Sequence, residues 1–88
     1  MIFNIEELKK KIIYRSTYRG TKEMDALISS FTKQIINDLN ADELINLSNL
    51  LDIDDENLYK FNQGLTITAN IKENKVSKLF KEFKLKKK

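Results

Sequence analysis

The chain has 88 residues, of which 33% are charged, a formal net charge of +3, and neither cysteine nor histidine. This length suits one domain with a core of its own. The missing residue types exclude disulfide bonds, thiolate chemistry and the imidazole base that enzymes use most often. The composition therefore argues against an enzyme, and we expect no catalytic or metal-binding residues. No segment approaches the roughly 18 consecutive apolar residues of a membrane helix. The acidic, amphipathic N-terminus is unlike a signal peptide, so we expect a cytoplasmic protein without membrane association.

Helical signals recur along the chain, which has no proline and only two glycines to interrupt them. Apolar residues at three- and four-residue spacing predict helices, and polar residues before them predict their caps. The expected helices cover about residues 4–14, about 21–38 with Thr21 or a neighbour as its cap, a stretch beginning at Asn40, a short stretch that Gly64 ends, and about 70–84. Residues 66–70 would also suit extended chain. We predict a single all-α domain over residues 1–88, a small compact bundle of about five short helices.

Charge is divided unevenly between the body of the chain and its C-terminal tail. Residues 72–88 contain eight lysines against two glutamates, whereas residues 1–71 contain eight basic and eleven acidic residues. The body is therefore mildly acidic and the tail is basic. We expect the lysines to form a solvated helix face with a frayed end at 84–88, although such a tail could also attract nucleic acid.

The most informative stretch covers residues 14–25, which contain both arginines of the chain, Arg15 and Arg19. Arginine presents a rigid planar fork of donors that lysine cannot reproduce, so its use here alone indicates a need for that geometry. Gly20 follows Arg19 directly and leaves the backbone bare, which would let another surface approach closely. The stretch predicts a recognition surface.

Acidic and aromatic residues in the same stretch bear on what it recognises. Glu23 and Asp25 follow the glycine, and Tyr14 and Tyr18 alternate with the arginines. Donors and acceptors side by side favour a protein partner over nucleic acid. A purely structural alternative is that the tyrosines pack at a helix end while the arginines pair with Glu23 or Asp25.

The same residues carry a family resemblance. Arg19, Gly20 and Glu23 form an Arg-Gly-x-x-Glu pattern, and matching elements follow at 39–44, at 50–51 and at 54–64, where Asp55, Leu58 and Phe61 are similar to an Asp-x-x-Leu-x-x-Trp segment. Over about residues 8–64 the chain resembles the small succinate dehydrogenase assembly factors, the flavinator family. It departs from the family pattern at Tyr18, Thr21 and Phe61, and it lacks the proline that often follows the closing glycine.

The resemblance implies a five-helix bundle that binds the flavoprotein subunit of succinate dehydrogenase or fumarate reductase. It also implies that the chain promotes covalent attachment of FAD to a histidine of that client. Arg19, Gly20 and Glu23 would then form the docking motif, and the surrounding surface would include Tyr14, Arg15, Tyr18 and Asp25. The sequence has no glycine-rich phosphate loop, so we expect FAD to be attached to the client and not bound by this chain. We also expect the chain to be a monomer when it is free.

Two other functions compete with this prediction. The chain could be an antitoxin-like or general protein-interaction module, or a small basic nucleic-acid-binding protein that uses the tail over residues 72–88. Residues 44–61 superficially resemble a helix-turn-helix, but the second helix would present Asp54, Asp55 and Glu56 to the phosphates. We therefore expect no nucleic-acid binding by that element.

Overall fold

Five α-helices follow one another in the computed structural model, which describes residues 4–17 and 19–84. They are α1 (Ile5–Thr17), α2 (Lys22–Ile35), α3 (Ala41–Leu51), α4 (Asp55–Asn62) and α5 (Lys75–Glu82), and a 3-10 turn over Ile36–Asp38 follows α2. None of the described residues lies in a β-strand. The predicted all-α bundle is confirmed. No helix within the described ranges is long and apolar enough to cross a membrane.

Polar caps set where the helices begin. Thr21 accepts a hydrogen bond from the Met24 N–H, and Asn40 forms a capping box with Glu43, so both predicted caps are confirmed. Asp54 and Asn74 cap α4 and α5 in the same way, each satisfying an N–H that has no partner inside the helix. Gly64 has a φ of 76°, the left-handed conformation that ends α4 and favours glycine.

The boundaries differ from the predicted ones at several places. The second α-helix ends at Ile35, and a 3-10 turn covers the rest of the stretch that was predicted to be helical up to residue 38. The first helix continues to Thr17, past the predicted end near residue 14. The last helix begins at Lys75, so the prediction of a start near residue 70 is wrong, because Asn74 and Ser77 close a capping box there. Residues 65–73 form no regular element, and the ambiguous stretch at 66–70 is not a strand. Of the tail expected to fray, Lys84 lies within the described residues and 85–88 lie outside them.

An aromatic cluster at the centre of the core joins three helices. The Phe31 ring of α2 lies 5.0 Å from the Phe80 ring of α5 and 5.4 Å from the Phe83 ring, centroid to centroid. Phe61 of α4 stacks on Phe80 at 6.3 Å. Around this cluster α1 packs against α2 and α3, and α5 packs against α3 and α4. Phe61 is thus a partly buried aromatic residue that packs against the core, at the position where the family pattern usually has Trp.

Two polar contacts tie α5 to the rest of the bundle. The buried Asn62 side chain donates hydrogen bonds to the carbonyls of Phe80 at 2.7 Å and Phe83 at 2.8 Å, which satisfies the end of α5. At the other end of α5, Lys75 Nζ lies 3.3 Å from the Glu43 carboxylate, which also accepts the capping-box hydrogen bond from the Asn40 N–H. The Asn40 hydrogen bond, aided by Lys75, lowers the pKa of Glu43 from its ordinary value of 4.5.

The lowered pKa of Glu43 predicts how the free energy of unfolding changes at acid pH. Because the pKa of Glu43 is lower in the folded chain than in the unfolded one, its contribution is complete above pH 4.5 and is lost as the pH falls through the lowered pKa. Glu43→Gln should therefore lose less unfolding free energy than the wild type between pH 7 and acid pH, measured by urea titration. Asp42→Asn, a change at the adjacent exposed position, serves as the control and should follow the wild type. Parallel losses in Glu43→Gln and the wild type would contradict the assignment.

A second prediction concerns the contribution of the buried Thr32 hydroxyl to the free energy of unfolding. Thr32 is fully buried in α2, and its hydroxyl oxygen has no hydrogen-bond partner among the described residues. An unsatisfied buried hydroxyl costs free energy, so Thr32→Val should raise the unfolding free energy by about 1 kcal/mol. The control is the same replacement at Thr21, which removes a helix cap and should lower it by about 1 kcal/mol. Destabilisation by Thr32→Val in urea titration would indicate a partner for the hydroxyl.

Candidate functional site

The predicted motif lies in the short connection between α1 and α2. We call residues 19–21 the Arg-Gly turn; Tyr18, which was also predicted to belong to the site, lies outside the described residues. The first turn of α2 holds the Arg-Gly turn in place, because Asp25 accepts a hydrogen bond from the Arg19 backbone N–H and Thr21 caps the helix. Asp25 therefore supports the backbone of the turn.

The Arg19 side chain is directed into the bundle. Its Nη1 donates to the Leu51 carbonyl at 3.0 Å and its Nη2 to the Ile53 carbonyl at 3.1 Å. Its Nε donates to Asp55 Oδ1 at 2.9 Å, and only 11% of the side chain is exposed. Leu51 is the last residue of α3, where carbonyls lack intrahelical partners, so the guanidinium caps α3 and pairs with the start of α4.

Arg15 makes a second link to the same corner of the fold. Its Nη1 donates to the hydroxyl of Ser48 at 2.9 Å and to its carbonyl at 3.3 Å, and its Nη2 pairs with the Asp52 carboxylate. Both arginines thus pair within the chain, but with carboxylates beyond α3. The alternative prediction that they pair with Glu23 or Asp25 is wrong for the guanidinium groups, because α1 packs along α3 and brings the arginines to its C-terminal end. Asp25 binds only the backbone N–H of Arg19.

Gly20 lies on the surface with its backbone bare. Its φ is not positive, so no left-handed conformation requires glycine at this position. A Cβ atom added there would come no closer than 3.4 Å to Asp55 Oδ2, an ordinary van der Waals contact. Neither local conformation nor internal packing therefore requires the missing side chain, which is consistent with a requirement imposed from outside the chain.

Two further predicted residues lie on the surface close to this turn in sequence. Glu23, in the first turn of α2, is exposed, and its carboxylate makes no hydrogen bond or ion pair with the described residues. The Tyr14 side chain at the end of α1 is 67% exposed. Together with Gly20 they offer an aromatic ring, a bare backbone and an acceptor.

Two acidic residues from outside this stretch also belong to the site. Asp52 and Asp55 lie more than 30 positions from the arginines, yet they are their ion-pair partners. The family pattern at Asp55, Leu58 and Phe61 was the available signal, but it could not show which side chain Asp55 meets.

Four of the five described lysines of the basic tail make contacts inside the chain. Lys75 pairs with Glu43, Lys78 lies 3.6 Å from Glu73, and Lys84 donates to the Asn62 carbonyl at 3.1 Å. Lys81 lies over the Phe61 ring at 5.8 Å. These contacts distribute the lysines over α5 and its flanks, as expected for a solvated helix face.

A separate cleft of about 320 Å³ lies between α3 and the segment before α5. Its lining combines apolar side chains with side-chain amides and one lysine: Asn46, Asn49, Leu50, Ile53, Asn70, Ile71, Lys72, Asn74 and Ser77. No group of three or more acidic, histidine or cysteine residues in the described part of the chain could hold a metal ion there or elsewhere.

The two arginines should contribute different amounts to the free energy of unfolding. Arg19→Lys loses a forked set of bonds to two carbonyls and a carboxylate, so we expect about 2 kcal/mol less unfolding free energy in urea titration. Arg15→Lys should cost below about 1 kcal/mol, because its ion pair with Asp52 is much more exposed. Equal losses would show that Arg19 is not the stronger link.

Comparison with known proteins identifies the family of this chain. No curated protein and no solved structure matches the chain significantly. A family model described as Sdh5, flavinator of succinate dehydrogenase, matches residues 10–84, which include the Arg-Gly turn, Glu23 and all of α2 to α5. With most of its length matched, this chain belongs to the Sdh5 family, flavinator of succinate dehydrogenase.

Proposed function

We propose that this chain binds the flavoprotein subunit of succinate dehydrogenase or fumarate reductase and promotes covalent attachment of FAD to a histidine of that subunit. The observation that carries the proposal is the exposed, bare backbone of Gly20 in a chain of the flavinator family, with Glu23 three positions further on, whose exposed carboxylate has no partner among the described residues. The client's backbone could approach Gly20 closely, and Glu23 would accept a hydrogen bond across the interface. Tyr14 and Arg15 would lie at the rim of the contact.

The mechanism that we propose is binding without chemistry by this chain. The sequence contains no histidine, so the reacting histidine belongs to the client, to which the flavin becomes attached. This chain would hold the client in a conformation in which its histidine and the flavin are aligned, which supplies proximity and orientation. It acts in this proposal as a cytoplasmic monomer that does not itself bind FAD.

The test is co-expression with the flavoprotein subunit of the same organism, followed by denaturing electrophoresis and in-gel flavin fluorescence. The wild-type chain should raise the covalent flavin signal, and Gly20→Arg should abolish that rise because its side chain occupies the space that the client needs. Gln34→Arg is the matched control, because it adds the same side chain to an exposed position near the other end of α2. It should behave as the wild type.

The outcomes separate the fold from the function. Circular dichroism should show Gly20→Arg as helical as the wild type, since a Cβ atom at this exposed position comes no closer than 3.4 Å to its nearest described neighbour, Asp55 Oδ2. A full flavin signal with Gly20→Arg would overturn the proposed docking surface. No rise with the wild-type chain, in the presence of folded client and FAD, would overturn the flavinylation role and leave a general protein-interaction module as the alternative.

A further inference from the structure

One oxygen of the Asp55 carboxylate is available at the surface beside Gly20. Oδ1 accepts the hydrogen bond from Arg19 Nε, whereas Oδ2 has no partner among the described residues. Oδ2 lies 3.4 Å from the position that a Cβ atom on Gly20 would occupy. Any segment that packs on the bare backbone of Gly20 would therefore meet this oxygen.

The available oxygen is held in a fixed position. Asp55 is the first residue of α4, whose start is fixed by the Asp54 cap. The Arg19 guanidinium that binds Oδ1 is itself anchored on the Leu51 and Ile53 carbonyls. An acceptor that is already ordered loses little conformational entropy on binding, which favours affinity.

The polarity of the surface indicates the chemistry of the partner. In both ion pairs of this corner the carboxylate is the more exposed group: Asp55 is 31% exposed against 11% for Arg19, and Asp52 is 65% exposed against 34% for Arg15. The guanidinium groups thus lie toward the bundle and the carboxylates toward solvent. Glu23 adds another exposed carboxylate close by in sequence. A surface of this kind complements a positively charged one.

We propose that Asp55 is part of the docking surface, where Oδ2 accepts a hydrogen bond from a cationic side chain of the client, and that Arg19 is the positioning residue that holds it. This inference rests on the proposed function, because it requires a protein client that packs on Gly20. In this proposal Arg19 contributes to docking by holding Asp55 in place, and the Arg19 guanidinium does not need to contact the client.

Asp55→Asn tests the proposal directly, because Arg19 requires an acceptor at the Oδ1 position. The asparagine oxygen would satisfy Arg19, and its NH₂ group would then replace the acceptor beside Gly20 by a donor. We expect the dissociation constant for the purified flavoprotein subunit to rise at least tenfold by titration calorimetry, with helix content unchanged. Raising the salt concentration should weaken the wild-type complex more than the variant complex.

Asp38→Asn is the matched control, since it makes the same chemical change at an exposed position past the C-terminal end of α2. At a rise of about 1.5 Å per residue, the length of α2 places it on the order of 20 Å from the Arg-Gly turn. It should leave the dissociation constant within twofold of the wild-type value. Asp55→Glu is a second variant, which keeps the charge but moves the carboxylate by one methylene, and it should also weaken binding.

A double-mutant cycle separates positioning from direct contact. If Arg19 acts through Asp55, Arg19→Lys should weaken binding in the wild-type background and have little further effect when Asp55→Asn is present. The same fold-change in both backgrounds would show that Arg19 does not act through Asp55 and would overturn its role as the residue that positions this carboxylate. Wild-type affinity in both Asp55→Asn and Asp55→Glu would overturn the docking role of Asp55 while the proposed function stands. Failure of the wild-type chain to bind the subunit would instead refute the proposed function.

Discussion

The Arg19 guanidinium joins parts of the chain that are far apart in sequence, and the geometry of the candidate site depends on it. It binds the last carbonyl of α3, a carbonyl of the α3–α4 turn and the carboxylate that starts α4. Those groups would otherwise lack partners at a helix end, and a planar fork of donors satisfies them together. The Arg-Gly turn is consequently fixed against the α3–α4 corner, which places the bare backbone of Gly20 beside Asp55.

The two arginines show how one residue type can serve a surface without being exposed on it. Arg15 and Arg19 lie four positions apart, and both reach the C-terminal part of α3 or the turn after it. Each leaves a more exposed carboxylate on the outside. The mixed charge that is visible in the sequence therefore becomes an ordered arrangement, with cations inward and acceptors outward, which suits recognition of a basic protein surface.

The bundle itself depends on a different set of contacts. Helices this short are marginal alone in water, so their stability must come from packing. Phe31 supplies the centre, because the rings of Phe80 and Phe83 meet it from the far end of the chain. Asn62 and the Glu43–Lys75 pair then fix the two ends of α5. The Arg-Gly turn lies outside this cluster, and for that reason its glycine can be exposed without any cost to the core.

Features that depend on residues within about one helical turn could be predicted from the sequence alone. They are the all-α class, the helix caps at Thr21 and Asn40, the end of α4 at Gly64 and the motif around Gly20. The start of α5 was predicted wrongly although its signal, the capping box of Asn74 and Ser77, is also local. Only the tertiary structure decided which carboxylates the arginines meet. Asp52 and Asp55 come next to Arg15 and Arg19 because α1 packs on α3, a contact between segments more than 30 residues apart that no local pattern encodes.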